Sequence, residues 1–514
     1  MYSLSIRYKL YSWAYFALVI IIGLLLYKDY GLTWDEPVQR GIGLAAYKYI
    51  HAGDRAYMEM YDKIYGVGFE LPLIYLEKLF NLTDTREIFQ FRHLINILFF
   101  SFTCFIFFRL NLKLFKKAHL AIIPTLILLR TPRIFAHAFF NSKDLPFLCM
   151  YIIGYYALFN YLLKSSYKNL IVLGLCAGLL INFRIMGILF FGTAFFTIVL
   201  YLLQKQKLRF GIHSLIFILV ACCSLYATWP YLWEEPIKNF QQSWLLMSKF
   251  PWLGIMLFRG QVINPGEQLT NYLFTWIGIT VPLLYLVMGF MGGTIFLFKV
   301  AQNPLKIFEN PIKIMGFIFL LNAAAPIVAV LYLKSILYDD WRQLYFIYPA
   351  CIVFIGYLFY YLNSWKPKLA KISGILCLVY FGYILVQMIQ LHPYQQVYFN
   401  ETVSKKEFYI YNHYDQDYWG ASFYEALSYI VQTDQADTIP VFVFHDALIR
   451  NALLLLEKDR KRFIFSRNMT EKRAKYYITN FRFDYPDLIG TYHFKHIYYE
   501  IKRQNSTLLR VWSH

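Results

Sequence analysis

Charge is scarce in this sequence. Of 514 residues, 16% are Asp, Glu, Lys or Arg, against about 25% in an ordinary soluble chain. Acidic charge is scarcest, with 31 Asp+Glu against 50 Lys+Arg and a formal net charge of +19. Hydrophobic residues make up 58% and the mean hydropathy is +0.42. One soluble core cannot hide that much apolar side chain, so lipid must solvate part of it. This excludes a cytosolic enzyme, a secreted domain and a disordered chain. Several motifs are absent too: there is no Walker A loop, no glycine-rich dinucleotide fingerprint, no HExxH and no GxSxG. ATP-driven transport and serine or zinc hydrolysis therefore have no support. The seven cysteines, Cys104, Cys149, Cys176, Cys222, Cys223, Cys351 and Cys377, all fall in apolar stretches without metal-ligand or redox spacing. They read as small buried hydrophobes. The excess of cations would suggest nucleic acid in a soluble protein. Here most cations sit in short loops between apolar runs, where they report membrane orientation, and no nucleic-acid partner is expected.

A helical span needs about 20 mostly apolar residues. About eleven such runs centre near Ile20, Phe100, Ile127, Ile153, Leu175, Phe196, Phe217, Leu284, Leu320, Phe354 and Tyr380. The first follows Arg7 and Lys9, lacks a small-residue cleavage site and reads as an uncleaved span. The third is short and interrupted by Pro124; the fifth and sixth are separated only by Asn182-Phe183-Arg184. One alternate set of loops is short and basic: Arg7 and Lys9; Lys113, Lys116 and Lys117; Lys164 and Lys168; Lys205, Lys207 and Arg209; Lys299, Lys306 and Lys313; Lys366, Lys368 and Lys371. Only Glu309 opposes them, and the positive-inside rule makes these loops cytoplasmic. The other set (28–92, 130–146, 229–270, 334–342 and the tail from Leu391) holds most of the acidic residues and faces outside. Segments 28–92 and 229–270 are rich in aromatics, as interfacial amphipathic helices are.

The tail changes composition. Thr438–Phe444, Arg462–Phe465, Lys475–Thr479, Thr491–Ile501 and Thr507–Trp512 read as strands, and Asp446–Lys458 as a helix. The expected fold class is an α-helical polytopic membrane protein. It has about eleven transmembrane helices in residues 1–390 and a small α/β extracytoplasmic domain in 391–514.

This orientation collects charged clusters on one face. Asp35 and Glu36 follow the first span in Gly31-Leu32-Thr33-Trp34-Asp35-Glu36-Pro37. A carboxylate at a low-dielectric wall suits a general base; the same pattern also fits a helix N-terminus with Pro37 in the first turn. Thr131 to Pro146 holds Arg133, His137, Asn141, Lys143 and Asp144. Cations beside a carboxylate can hold a phosphate and orient a reacting group, and they equally fit an anchor belt with Lys143 and Asp144 paired. Asp339, Asp340 and Arg342 precede the tenth span, where Arg342 either meets a phosphate or neutralises a neighbouring aspartate. Trp229 to Pro236, with Glu234 and Glu235, reads as an aromatic belt. Arg184 lies between two apolar segments and needs an anionic counterpart, protein or ligand.

Together the clusters resemble the polyprenyl-phosphate-dependent membrane glycosyltransferases of the C-type fold, often grouped as glycosyltransferase family 39. That group includes protein O-mannosyltransferases and bacterial aminoarabinose-lipid A transferases. The resemblance rests on the Asp35-Glu36 pair after the first span and on Pro132-Arg133, His137, Phe139, Asn141 and Lys143-Asp144-Leu145-Pro146. It extends to Arg92-His93, Tyr338-Asp339-Asp340-Trp341-Arg342, Leu391-His392-Pro393-Tyr394 with Tyr398 and Asn400, and Asp417-Tyr418-Trp419-Gly420. Gln343 departs from it, standing where the pattern has His, and the span count is low.

The resemblance implies an inverting transfer of a sugar from a polyprenyl-phosphate donor to an acceptor lipid, glycan or protein, at the periplasmic face of a bacterial inner membrane. Asp35 is then the general base, and Glu36 and Asp144 are further catalytic carboxylates. Lys143, Arg342, Arg184 and Arg92 hold the donor phosphate. His137, Asn141, Asp339 and Asp340 contact substrate. No ATP or nucleotide sugar is required, and a divalent metal ion at the phosphate is left open. The competing class is a transporter or flippase of lipid-linked sugars, whose polar residues belong within the spans near the midplane.

Overall fold

The structure is a computed structural model. It describes the chain except residues 1–5, 206–209, 249–251, 265–270, 308–309, 404, 407–408, 468–472 and 483–493. Lys207, Arg209, Glu309 and the start of the strand expected at 491–501 lie outside the described residues.

Apolar composition produces helices wherever a span was expected. Among the described residues eight helices are long and apolar enough to cross a membrane, or nine if the bent pair Ala118–Leu129 and Pro132–Phe140 is one span. Two shorter apolar helices, Trp13–Leu26 and Tyr167–Phe183, complete the set. All eleven centres fall inside these helices, so the difference from eleven is one of helix length. Side-chain caps start several of them. Asp84 accepts from the Arg86 and Glu87 amides before Thr85–Phe115, and Asn310 caps Pro311–Leu333. The last long helix, Pro367–Leu391, leaves Ile372, Ile375, Leu376, Leu378 and Val379 more than half exposed. Such a surface is stable only against lipid, and the chain is an integral membrane protein. All seven cysteines are free, and Cys222 and Cys223 are exposed on this kind of surface, contrary to the expectation of burial.

Segment 130–146 is mostly buried and mostly helical: helix Pro132–Phe140, a short turn, then the start of helix Asp144–Leu163. Thr131 is extended (φ −89°, ψ 108°), as a residue before proline must be, so the helix restarts at Pro132 with a 65° bend. Every residue from Pro132 to Phe140 is buried. Segment 28–92 is also mostly helical, with helices Asp35–Ala52 and Glu70–Leu79 packed together.

The C-terminal region is a small mixed sheet. A hairpin, β1 (Met256–Phe258) and β2 (Gln261–Ile263), precedes it in sequence. Then come β3 (Ile439–Phe442), β4 (Phe463–Ser466), β5 (Tyr476–Thr479), β6 (His496–Arg503) and β7 (Ser506–Ser513), in the order β4-β3-β5-β7-β6. β3 is parallel to β4 and β5; β7 is antiparallel to β5 and β6.

Asn451 fastens this region to the loop before Asp35. Its carbonyl accepts the Leu32 amide at 3.0 Å, and its amide reaches the carbonyls of Leu32 (2.8 Å), Gly420 (2.9 Å) and Ala447 (2.8 Å). Gly31 packs so closely that an added Cβ would stand 1.9 Å from the Ala421 carbonyl oxygen. Asn451→Ala strands buried backbone groups and should cost about 1–3 kcal/mol. Thermal unfolding of the purified protein in detergent checks this, with a lower midpoint expected.

Candidate functional site

The Asp35-Glu36 pair divides into two different environments. Glu36 turns inward and is 2% exposed. Its carboxylate accepts the Thr33 amide (2.8 Å) and hydroxyl (3.0 Å) and meets His93 Nε2 at 2.8 Å. It closes the turn that begins helix Asp35–Ala52, where the Trp34 side chain provides no cap. Asp35 turns the other way and keeps 30% of its side chain exposed. Backbone contacts hold its approach: the Trp34 amide donates to the Trp419 carbonyl at 3.1 Å, and Arg450 donates to the Trp34 carbonyl.

Asp144 begins helix Asp144–Leu163 and is buried. Asn141 accepts its amide at 2.7 Å and donates to its carboxylate at 3.0 Å. Asn141 also meets His137 Nδ1 at 2.9 Å, and His137 Nε2 lies 3.3 Å from the Tyr418 hydroxyl. Because Nδ1 accepts from the Asn141 amide, the neutral ring carries its proton on Nε2. Asn141 thus holds Asp144, and His137 holds Asn141.

Two cations converge on Asp144. Arg184 pairs with Oδ1, and Arg342 Nη1 pairs with Oδ2 at 3.1 Å. The same Arg342 nitrogen is 3.9 Å from Asp35. Two carboxylates more than one hundred residues apart thus share one guanidinium. Among the described residues no group of three or more His, Cys, Asp or Glu is placed to hold a metal ion. The position between Asp35 and Asp144 is filled by Arg342, so this donor set does not fit a divalent ion.

Lys143 sits beside this group with its Nζ 3.6 Å from the centre of the Tyr65 ring. Burial, then the nearby Arg184 charge, push its pKa from 10.5 down to about 8, against the pull of Asp35 and Asp144. Lys143, Arg184 and Tyr65 are among the residues that line a cavity of about 180 Å³, most of whose other lining residues are apolar, including Leu189, Trp244 and Leu333. Arg342 is not among its lining residues.

Other expected residues are placed elsewhere. Arg92 is held between Glu70 and Glu77 (2.7 Å), and Arg40 also reaches Glu77, at 2.9 Å. Two carboxylates neutralise it, and it ties together the helices of segment 28–92. Asp340 is fully buried against Arg133 (2.8 Å) and the Tyr345 hydroxyl (3.0 Å). Burial raises its carboxyl pKa and Arg133 opposes the rise. Asp339 bridges Arg342 (3.4 Å) and Arg482 (2.7 Å).

Two site neighbours escaped the sequence reading. Asp62 lies near enough to Lys143 and Asp35 to feel both; burial raises its pKa, Lys143 lowers it and Asp35 raises it. No spacing marks it within an aromatic segment. Arg482 follows a strand 140 residues beyond Arg342, and nothing local signals the contact.

Asp144→Asn removes the charge that holds two buried arginines and should destabilise the protein by about 3–5 kcal/mol. Asp35→Asn, at a partly exposed position, should leave stability nearly unchanged. Paired thermal melts of the two variants check the contrast.

No family model matches the sequence, and no curated protein matches it in sequence. Among solved structures, the chain is similar to ArnT from Cupriavidus metallidurans bound to undecaprenyl phosphate. The identity is 12% over 99% of this chain and 98% of that one, with a TM-score of 0.49. The apo state of that protein gives 13% identity over 98% of each chain, with a TM-score of 0.47.

Proposed function

We propose that this chain is an integral-membrane glycosyltransferase of the C-type fold, in the manner of family 39. It moves a sugar from a polyprenyl-phosphate donor to an acceptor at the outer, periplasmic face of a bacterial inner membrane. The observation that carries the reading is the meeting of a part-exposed and a buried carboxylate on Arg342, next to a lysine-arginine pair that lines a largely apolar cavity. An apolar cavity with cations in its lining suits a lipid with an anionic head.

In this reading the donor's lipid tail lies along the apolar walls and its phosphate meets Lys143 and Arg184. Asp35 takes the proton from the acceptor group as that group bonds to the anomeric carbon. The bond from that carbon to the phosphate oxygen breaks on the opposite face, so the configuration inverts. The lipid phosphate leaves as an anion, and the two cations stabilise the charge that develops. Arg342 keeps Asp35 and Asp144 apart yet close, and Asp144 fixes both arginines. Glu36 supports the turn that presents Asp35. The residue types support no nucleotide chemistry, and the energy of transfer lies in the donor's phosphoester bond.

Two measurements test the reading. Reconstituted protein is offered a panel of polyprenyl-phosphate sugars with an envelope extract as acceptor, and donor consumption is followed by mass spectrometry. Asp35→Asn should reduce turnover by about 10²–10⁴; undiminished turnover removes Asp35 from the base role. Intact donor with folded wild-type protein favours transport of a lipid-linked sugar instead.

The second measurement is binding of a dialkyl phosphate, whose single negative charge is constant across the range used. Lys143 is charged below a pH of about 8 and neutral above it. Affinity should therefore be greatest below that pH and fall as pH rises through it. Lys143→Arg, which stays charged, should flatten the profile.

A further inference from the structure

A chain of buried charges runs from the C-terminal sheet region into the site. Arg482 follows β5, where Asn480 donates to the Asp417 carbonyl at 2.7 Å and Phe481 takes a positive φ of 62°. That turn sends the guanidinium of Arg482 to two acids. Its Nη1 pairs with Asp415, and its Nη2 pairs with Asp339 Oδ1 at 2.7 Å. Arg482, Asp339 and Asp415 are all buried. The second oxygen of Asp339 is 3.4 Å from Arg342 Nη2, while Arg342 Nη1 reaches Asp144 and Asp35.

The two contacts of Asp339 are unequal. The shorter one, to Arg482, is the stronger charge-assisted bond. It leaves Arg342 a weak hold on Asp339 and frees its other nitrogen for Asp35 and Asp144. Without Arg482, the full charge of Asp339 would compete for Arg342. The backbone is set for this division. Asp339 (φ 53°) and Asp340 (φ 74°) are consecutive non-glycine residues in the left-handed region. Such residues persist only where their surroundings over-determine them. Arg133 fixes Asp340, and Arg482 fixes Asp339.

We propose that Arg482, supplied by the C-terminal region, is a positioning residue that sets Arg342 between Asp35 and Asp144 by holding Asp339. It touches neither donor nor acceptor. The kinetic part of this proposal rests on the transferase reading. Donor affinity is assigned to Lys143, Arg184 and the apolar cavity, so loss of Arg482 acts on the turnover step.

The test compares full-length wild type, Arg482→Lys and Arg482→Gln, reconstituted and checked by thermal unfolding. Initial rates are measured against donor concentration. Arg482→Gln should lower kcat by about tenfold or more, with donor KM within about twofold. Arg482→Lys, which keeps the charge, should recover most of the loss. Hydrogen exchange of 337–343 supplies a readout without turnover, and Arg482→Gln should speed it while Arg482→Lys does not. Wild-type kcat and wild-type exchange in folded Arg482→Gln overturn the proposal. So does equal inactivity of both variants with early unfolding of both, which marks a merely structural role. If Arg482→Gln does not fold, the uncharged Arg482→Met takes its place: the same fall in kcat at unchanged donor KM supports the proposal, and wild-type kcat in the folded variant overturns it. If wild type itself consumes no donor, the transferase reading falls and the exchange measurement alone decides the positioning.

Discussion

The site depends on one buried carboxylate. Asp144 sits where a helix begins, against Arg184 on one oxygen and Arg342 on the other. Taking a charge out of water costs several kcal/mol per ion, repaid only by close geometry and further hydrogen bonds. Asn141 supplies those bonds from the amide side, and His137 steadies Asn141. Each arginine then has a defined second direction. Arg184 points toward Lys143 and the apolar cavity; Arg342 points toward Asp35 and Asp339. One carboxylate thereby divides a cationic face into a part that lines the apolar cavity and a part that faces Asp35.

A second ion cluster holds the scaffold around it. Glu70 and Glu77 enclose Arg92, and Arg40 joins from helix Asp35–Ala52. This fixes that helix against Thr85–Phe115 and so fixes the start at which Asp35 stands. His93, the residue after Arg92, reaches Glu36. The two neighbours on one helix serve the same end by separate routes, Arg92 through the middle of the outer helices and His93 through the turn itself.

Much of this was legible because charge stands out in an apolar chain. Asp35, Lys143, Asp144, Arg184 and Arg342 were each conspicuous, and the structure brings them together. The apolar helices were legible for the same reason, and so were the strands of the tail from their alternation. The counterparts of Arg92 are not legible, because they lie in a segment whose aromatic content reads as interfacial. Glu70 and Glu77 are seven residues apart and share one helix face, a signal that becomes visible only once that segment is read as a helix. His137 and Asn141 stand out as polar residues, yet the contact of Asn141 with Asp144, steadied by His137, depends on a break after Pro132–Phe140 that no periodicity marks. Arg482 was beyond reach, since its contact joins a strand end to a strained turn far away in sequence.

The fastening of Leu32 by Asn451 spans 419 residues of chain. Contacts of such separation form last, because the intervening chain must be made and closed before they gain anything. Synthesis runs from the N-terminus, so the segment carrying Asp35 is made first and waits through every apolar helix for its final support. Until residues 451 and 482 are in place, the turn before Asp35 lacks the Asn451 bonds and Asp339 lacks its pairing with Arg482. Molecules truncated before Asn451 therefore lack the final geometry around Asp35.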